Sequence, residues 1–571
     1  MKRTFALLLF AATAPAQTTA IVGATVFDGT GAAPRKVTVL IREGRITGVG
    51  APLPAGATVI HAEGLALLPG LFDLHTHLTA SPEASVAPDW AKAAKAYLWN
   101  GVTSIDEFGT YPETYEPERR LLLTFAAPHV NFAARITTPG GHGDEAGRGD
   151  IFSQEILTPR EGHAAIQRVL PYHPDVIKIF TDGWRYGMAP DLTSMDAATV
   201  AATVEEAHKN NLPVLTHTLT LARGKEAARA NVDVIAHGIQ DADTDSELVA
   251  MMKEHGVTYV PTLAVFEPKD AKADKPSARW DRLLASVAKM KAGQVPIGVG
   301  TDAGMPGTPH GTASLHELEL LVKGGLTPQE ALIAATAASA KAVRVFADRG
   351  SIEKGKRADL LLVEGEPWRD IEDIRKTRRV FLDGVEVDRE RLAREIAAPG
   401  PTPFPAITAT KTIDDFENPG RSRLDTLRIN NTDSGTDHSR MIFLTILRAA
   451  GDHALSISGE MAEKDHPYAR VMIPLSRGAI EPVDASAFHG VQFEARGDGA
   501  YGLVAPSRTG SWSAAFQANA KWTMVRIPFS ALEGAKKGAQ WTGKDLLMVG
   551  FEVARPAGNK AWLEVDNLEF Y

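Results

Sequence analysis

The chain has 571 residues, 44% of them hydrophobic and 23% charged, with a formal net charge of −9 and no cysteine. This length points to two or three domains, and mild acidity without a long Lys/Arg block argues against a nucleic-acid binder. The lack of cysteine excludes disulfides, thiolate ligands, a cysteine nucleophile and a lipid-modified N-terminal cysteine, so any metal site must use His, carboxylate or a modified side chain.

The chain opens MKRTFALLLFAATAPAQ, with Lys2 and Arg3 ahead of an apolar stretch from Phe5 to Ala12. Ala14-Pro15-Ala16 fits a small-x-small cleavage site. Residues 1–16 therefore read as a signal peptide, and the protein as exported to the periplasm or the exterior; a short buried helix is the alternative. No later apolar run is long enough to span a bilayer.

Residues 17–68 alternate short apolar runs with Gly and Asp-Gly turns, the texture of β-hairpins. Residues 346–397 share that texture in GSIEKGKRADLLLVEGEP and RVFLDGVEVD. Two β-rich pieces around a long middle segment predict one small composite sandwich. In the middle, 69–345, eight strand-like runs begin at LFDLHTH (71–77), VTSIDEF (102–108), HVNFAARI (129–136) and DVIKIF (175–180). They continue with PVLTH (213–217), VDVIAH (232–237), VTYVPTL (257–263) and PIGVGTD (296–302). Helical stretches lie between them, such as 197–210 and 327–343, where Thr327 and Glu330 form a capping box ahead of Pro328. This order predicts an α/β fold, a (β/α)8 TIM barrel.

Residues 398–410 hold four prolines and no charge before 410, a stiff linker. From 411 to 571 the sequence alternates in short runs with little helical periodicity, which predicts a separate all-β sandwich. No short internal repeat is present.

Asp73, His75 and His77 share one strand face. Seventeen histidines in 571 residues give roughly half of one His-x-His pair by chance, so the pair alone leaves metal ligation and hydrogen-bonded histidines open. Other strands supply a set around it: Lys178 in an apolar run, His217 and His237 at strand ends, and Asp302 at the last strand end. Barrel active sites lie at those ends, and buried imidazoles need a partner, so the set points to a bound cation.

The motifs PGLFDLHTHL, GVTSIDEFG, PGGHG, DVIKIF, THT, IAHG, GVGTDAG and KGKRADLLLV resemble the amidohydrolase superfamily, in its imidazolonepropionase-like and prolidase-like group, over about residues 19–390. The resemblance implies two divalent metals, zinc for preference, with His75, His77 and Asp302 at the first and His217 and His237 at the second. It implies that Lys178 is carboxylated and bridges them. A metal-bridging hydroxide would attack the carbonyl of a dipeptide, N-acyl amino acid or cyclic amide, with Asp302 passing its proton to the leaving nitrogen. His142 in the Gly-rich loop after the third strand would face the substrate. Arg185 or Tyr186 could clamp a carboxylate, and His310 could line the pocket. Asp73 would orient an imidazole. The run THTLTLARG lacks the tyrosine of the dipeptidase-like pattern, which weighs against dipeptides. The same chemistry would serve an ester or lactone, and a non-catalytic glycan-binding protein with a vestigial barrel is a further alternative.

The C-terminal runs TIDDFENPG, GVQFEARGDG and WTMVRIPFSAL resemble the family of the complex I intermediate-associated protein of about 30 kDa. That resemblance implies a jelly roll related to carbohydrate-binding modules. Glycan binding, with Trp512, Trp522 or Trp541 stacking on sugar, a cell-surface contact, a homo-oligomer contact and capping of the enzyme are the roles it suggests.

Overall fold

The structure is a computed structural model that describes residues 17–78, 89–143, 152–183, 193–268, 278–433, 437–536 and 538–571. Its centre is a ring of parallel strands. They are β1 (Leu71–Thr76), β2 (Val102–Glu107), β3 (His129–Thr137), β4 (Val176–Phe180), β5 (Val214–His217), β6 (Val234–Ala236) and β7 (Thr258–Val260). Each pairs with the next in chain order. Their residues are buried almost throughout, as expected of parallel strands covered on both faces.

The eighth predicted strand closes the ring through single bridges rather than a regular ladder: Ile297 pairs with Tyr259 and Ala303 with Thr76. Gly300 explains its close approach to β1. A Cβ there would lie 2.6 Å from Val260 Cγ1 and 3.0 Å from His75 Cβ. The predicted capping box is present, with Glu330 N donating to Thr327 Oγ1 at 3.2 Å and Thr327 N donating to Glu330 at 2.7 Å. The helix it starts turns π-helical over 334–338. There Ser339 Oγ donates to Ala334 O at 2.7 Å and accepts Val299 N at 3.1 Å, tying helix to closing segment.

The flanking sandwich is built from both sides of the barrel sequence. Leu65–Pro69 runs antiparallel to Leu360–Glu364, with Leu68 opposite Leu361. Its core holds Ile21, Val26, Ile41, Leu67, Leu362 and Phe381. One segment expected to be β-rich ends in a helix, Arg389–Ala397, which packs on Trp90–Trp99 and pairs Glu395 with Lys95 at 2.9 Å. Its sequence RERLAREIA buries only Leu392, a stripe too thin to separate it from surface loop.

Two six-stranded sheets around Phe416, Leu455, Val471, Phe493, Phe551 and Leu563 form the C-terminal β-sandwich. Trp512 is buried and packs edge-on to Trp541 at 5.3 Å, so both serve the core. Trp522 lies under Arg448, 4.2 Å from its guanidinium. The sandwich docks on the helix Pro112–Leu122 that follows β2. Arg421 meets the buried Glu113 at 2.7 Å, Arg120 meets Glu481 at 2.9 Å, and Phe404 of the Pro-rich segment stacks on Trp90 at 5.3 Å. Among the described residues no helix is long and apolar enough to cross a membrane; residues 1–16 lie outside them.

Candidate metal centre

Each predicted metal-site side chain sits at the C-terminal side of the barrel. β1 carries His75 and leads into His77, β4 carries Lys178, and β5 ends at His217. His237 follows β6, and Asp302 lies in the closing segment. His237 and Asp302 have φ of 77° and 57°, so the chain turns sharply where each side chain is presented. Left-handed backbone at such residues is uncommon and clusters at functional sites.

The six side chains converge. Asp302 Oδ1 lies 3.0 Å from His77 Nε2 and 3.4 Å from His75 Nε2. Lys178 Nζ lies 3.3 Å from His75 Nε2. The His237 ring is 4.4 Å from that of His75 and 4.4 Å from that of His217. Phe108 stands edge-on to His75 at 4.6 Å, with Lys178 Nζ 4.7 Å from its ring.

Burial sets the charges. It holds the His75 and His237 imidazoles well below the ordinary histidine range, and the Lys178 charge adds to this. His77 is also lowered by burial, which its Asp302 partner opposes. Burial brings the Lys178 amine well below the lysine range, against the pull of Asp302. On Asp302 burial pushes upward, but the His77 hydrogen bond and the Lys178 charge outweigh it and keep the carboxyl below its usual range. Neutral nitrogens with open lone pairs around one anionic carboxylate are the donor set a divalent cation takes. His75, His77 and Asp302 offer ligand atoms within 4.8 Å of one another.

The other predicted residues divide. Gly143 has φ of 100°, and a Cβ there would lie 2.7 Å from the Phe180 ring, so the loop closes on Phe180. This sets the His142 ring 4.1 Å from that of His217 and edge-on to Phe180 at 5.2 Å. His310 Nε2 lies 2.8 Å from His77 O, and its ring stands edge-on to Tyr97 at 5.6 Å. Arg185 and Tyr186 lie outside the described residues. Asp73 touches no imidazole, contrary to expectation. It accepts the amides of His75 and Thr301 and the hydroxyls of Thr301 and Ser314, which tie β1 to the closing segment and to the helix Thr312–Lys323.

Three further buried carboxylates, absent from the predicted set, do similar work at the rim. Glu107 accepts Leu78 N and Gly109 N, both at 2.5 Å, joining the loops after β1 and β2. Asp182 accepts Leu219 N at 2.6 Å and Thr220 N at 3.2 Å, joining the loops after β4 and β5. Glu317 accepts Leu263 N at 2.8 Å and Ala264 N at 2.7 Å after β7. Asp182 and Glu107 carried a usable signal, a carboxylate at the end of an apolar strand. Glu317 carried none, since HELELL reads as a solvated helix face.

The amidohydrolase family profile matches residues 66–387. Ochratoxinase of Aspergillus niger is 26% identical over 426 residues, spanning 65% of this chain and 86% of the relative. Imidazolonepropionase of Cereibacter sphaeroides is 28% identical over 391 residues, spanning 60% and 92%. Among solved structures, a Xaa-Pro dipeptidase with methionine bound in its active site is 26% identical with a TM-score of 0.57, covering 65% of this chain and 100% of that one. The matched profile takes in every residue of the histidine, lysine and aspartate cluster and more than half of the sequence, so this chain belongs to the amidohydrolase family.

Proposed function

We propose that the protein hydrolyses an amide C–N bond of a small exported-space substrate, a dipeptide, N-acyl amino acid or cyclic amide. The centre would be two zinc ions held by His75, His77, Lys178, His217, His237 and Asp302. The observation that carries this reading is that Asp302 Oδ1 lies 3.0 Å from His77 Nε2 and 3.4 Å from His75 Nε2, with Lys178 Nζ 3.3 Å from His75 Nε2. Metals bound there would lower the pKa of a shared water and polarise the scissile carbonyl.

The protein's own groups do the rest. Burial disfavours the charged form of the Lys178 amine, and the neutral form is the one that could add CO2, with loss of a proton, to give a carbamate that would serve as an anionic ligand. Asp302, kept anionic, takes a proton from the attacking water and hands it to the leaving nitrogen. His142, at the edge of the histidine cluster, faces the substrate and donates to its carbonyl or carboxylate. Phe108 and Phe180 pack against the histidines and exclude water from this side of the site.

The name of the Xaa-Pro dipeptidase supports a peptide-like amide substrate for this chain too, and those of ochratoxinase and imidazolonepropionase support a small-molecule substrate. The test is elemental analysis of protein prepared with zinc, followed by a panel of N-acyl amino acids, dipeptides, cyclic amides, esters and lactones. Two equivalents of zinc and turnover of an amide are expected. Protein that holds no metal, or that cleaves only esters, contradicts the proposal.

A further inference from the structure

We propose that Thr262 and Glu317 are positioning residues that fix the His237 imidazole for cation binding, an inference that rests on His237 being a ligand as proposed above. Thr262 follows β7 with φ 48° and ψ 49°. Left-handed backbone at a β-branched residue is strained and persists only where the surroundings enforce it. Here the conformation aims the hydroxyl at the site: Thr262 Oγ1 lies 3.1 Å from His237 Nδ1, and both residues are buried.

Glu317 enforces it. The chain after Thr262 forms a helix of one turn, Leu263–Phe266, whose first amides have no partner within so short an element. Leu263 N donates to Glu317 Oε1 and Ala264 N to Glu317 Oε2, so one fully buried carboxylate satisfies both amides. Glu317 itself stands on the helix Thr312–Lys323, a rigid support. The contacts therefore run from Glu317 through two backbone amides to Thr262 and from its hydroxyl to His237. The same short helix sets Phe266 edge-on to the His237 ring at 5.9 Å, closing a second side.

The tautomer follows from ligation: a cation on Nε2 would leave the His237 proton on Nδ1, which then donates to the Thr262 hydroxyl 3.1 Å away. A partner of this kind sets which nitrogen binds and holds the ring plane, and its loss typically costs about 10–100-fold in metal affinity.

The test uses full-length Thr262→Val, which keeps the β-branched shape and loses the hydroxyl, with Thr262→Ser and Glu317→Gln. Two readouts are taken: zinc retained against a competing chelator, and the His237 tautomer in metal-free protein from ¹⁵N-histidine NMR. Thr262→Val is expected to give up one zinc equivalent at about 10–100-fold weaker chelation than wild type. Thr262→Ser should retain both, and Glu317→Gln should behave as Thr262→Val. In metal-free wild type the His237 proton is expected on Nδ1, shifting toward Nε2 in Thr262→Val. Unchanged zinc retention and an unchanged tautomer in Thr262→Val overturn the positioning role. If Glu317→Gln does not fold, the Val and Ser variants decide alone. If wild type binds no zinc, the ligand reading fails instead, and the tautomer by itself decides the positioning.

Discussion

Asp73 and Thr301 are joined twice, Thr301 N to Oδ1 at 3.1 Å and Thr301 Oγ1 to Oδ2 at 2.7 Å. The strand that carries His75 is thereby locked to the segment that carries Asp302, although the two lie far apart in sequence. Ser314 Oγ and His75 N complete the shell of Asp73. The register of His75 against Asp302 thus depends on a residue outside the proposed ligand set.

Asp73→Ala should therefore act on stability and on metal affinity together. It strands buried donors that cost about 1–3 kcal/mol each when unpaired, so a loss of about 3 kcal/mol is expected. Thermal unfolding of the metal-free protein and zinc titration measure the two effects. Asp73→Asn, which keeps one accepting oxygen, should fall between. A melting midpoint equal to wild type in Asp73→Ala would show that the four hydrogen bonds carry no net stability.

Lys178→Met separates folding from chemistry. The amine is buried with Phe108 and Phe180 rings on either side at 4.7 and 5.5 Å, and its burial disfavours charge. An apolar side chain of similar length should fit at no cost, so the melting midpoint of metal-free protein should hold or rise. On the proposed mechanism, however, a metal ligand is lost. Loss of an outer partner already costs 10–100-fold, so removal of a bridge should lower turnover by more than ~100-fold and leave one zinc or none. Elemental analysis beside a stability measurement checks both halves. Retained turnover in Lys178→Met would remove the carbamate from the proposed mechanism.

Much of this was legible because it contradicts its surroundings. A lysine in VIKIF, or histidines at 75 and 77 in an apolar strand, stand out against a run that must be buried on both faces. The closing strand was legible as PIGVGTD, but not its irregular bridging, which follows from Gly300 yielding to His75 and Val260. The functions of Asp73 and Glu317 were hidden for a different reason. Each bonds to backbone amides, and backbone amides have no sequence signature. His310 was legible only as a histidine in a rim loop; that its Nε2 meets the main-chain carbonyl of His77 has no sequence signature.

The contact between barrel and C-terminal sandwich yields a cooperative prediction. Gly478 has φ of 63°, and a Cβ there would lie 2.6 Å from Thr114 Cγ2 and 3.0 Å from its Cα. Backbone and not a flexible side-chain end stands in the way, so Gly478→Val must push the sandwich off the helix that follows β2. That separates Arg421 from Glu113, whose second oxygen accepts Leu427 N at 3.1 Å. Wild type should melt in one calorimetric transition and Gly478→Val in two, the lower shifted down by several degrees for a loss of about 2 kcal/mol. A single unshifted transition in the variant would mean that this contact does not couple the two bodies.

The buried rim carboxylates give the stability a pH slope of defined sign. Burial pushes Glu107 from its ordinary value of 4.5 up to about 8, against the hydrogen bonds from Leu78 N and Gly109 N. Glu317 is likewise pushed up to about 8 by burial. The unfolded chain ionises both near the ordinary value, so between that value and 8 the folded state binds more protons. Their contribution to stability is then greatest on the acid side and falls as pH rises toward 8. Each group contributes at most about 1.4 kcal/mol per pH unit. The buried histidines and Lys178, whose charged forms burial disfavours, contribute a slope of the opposite sign, and that contribution is common to wild type and a Glu107 variant. Urea unfolding of metal-free protein at pH 7.0, 7.5 and 8.0 should show stability that depends more favourably on rising pH in Glu107→Gln than in wild type, by up to one proton. An equal slope in wild type and Glu107→Gln would mean that Glu107 is already ionised in the folded protein, held as a carboxylate by its two amides.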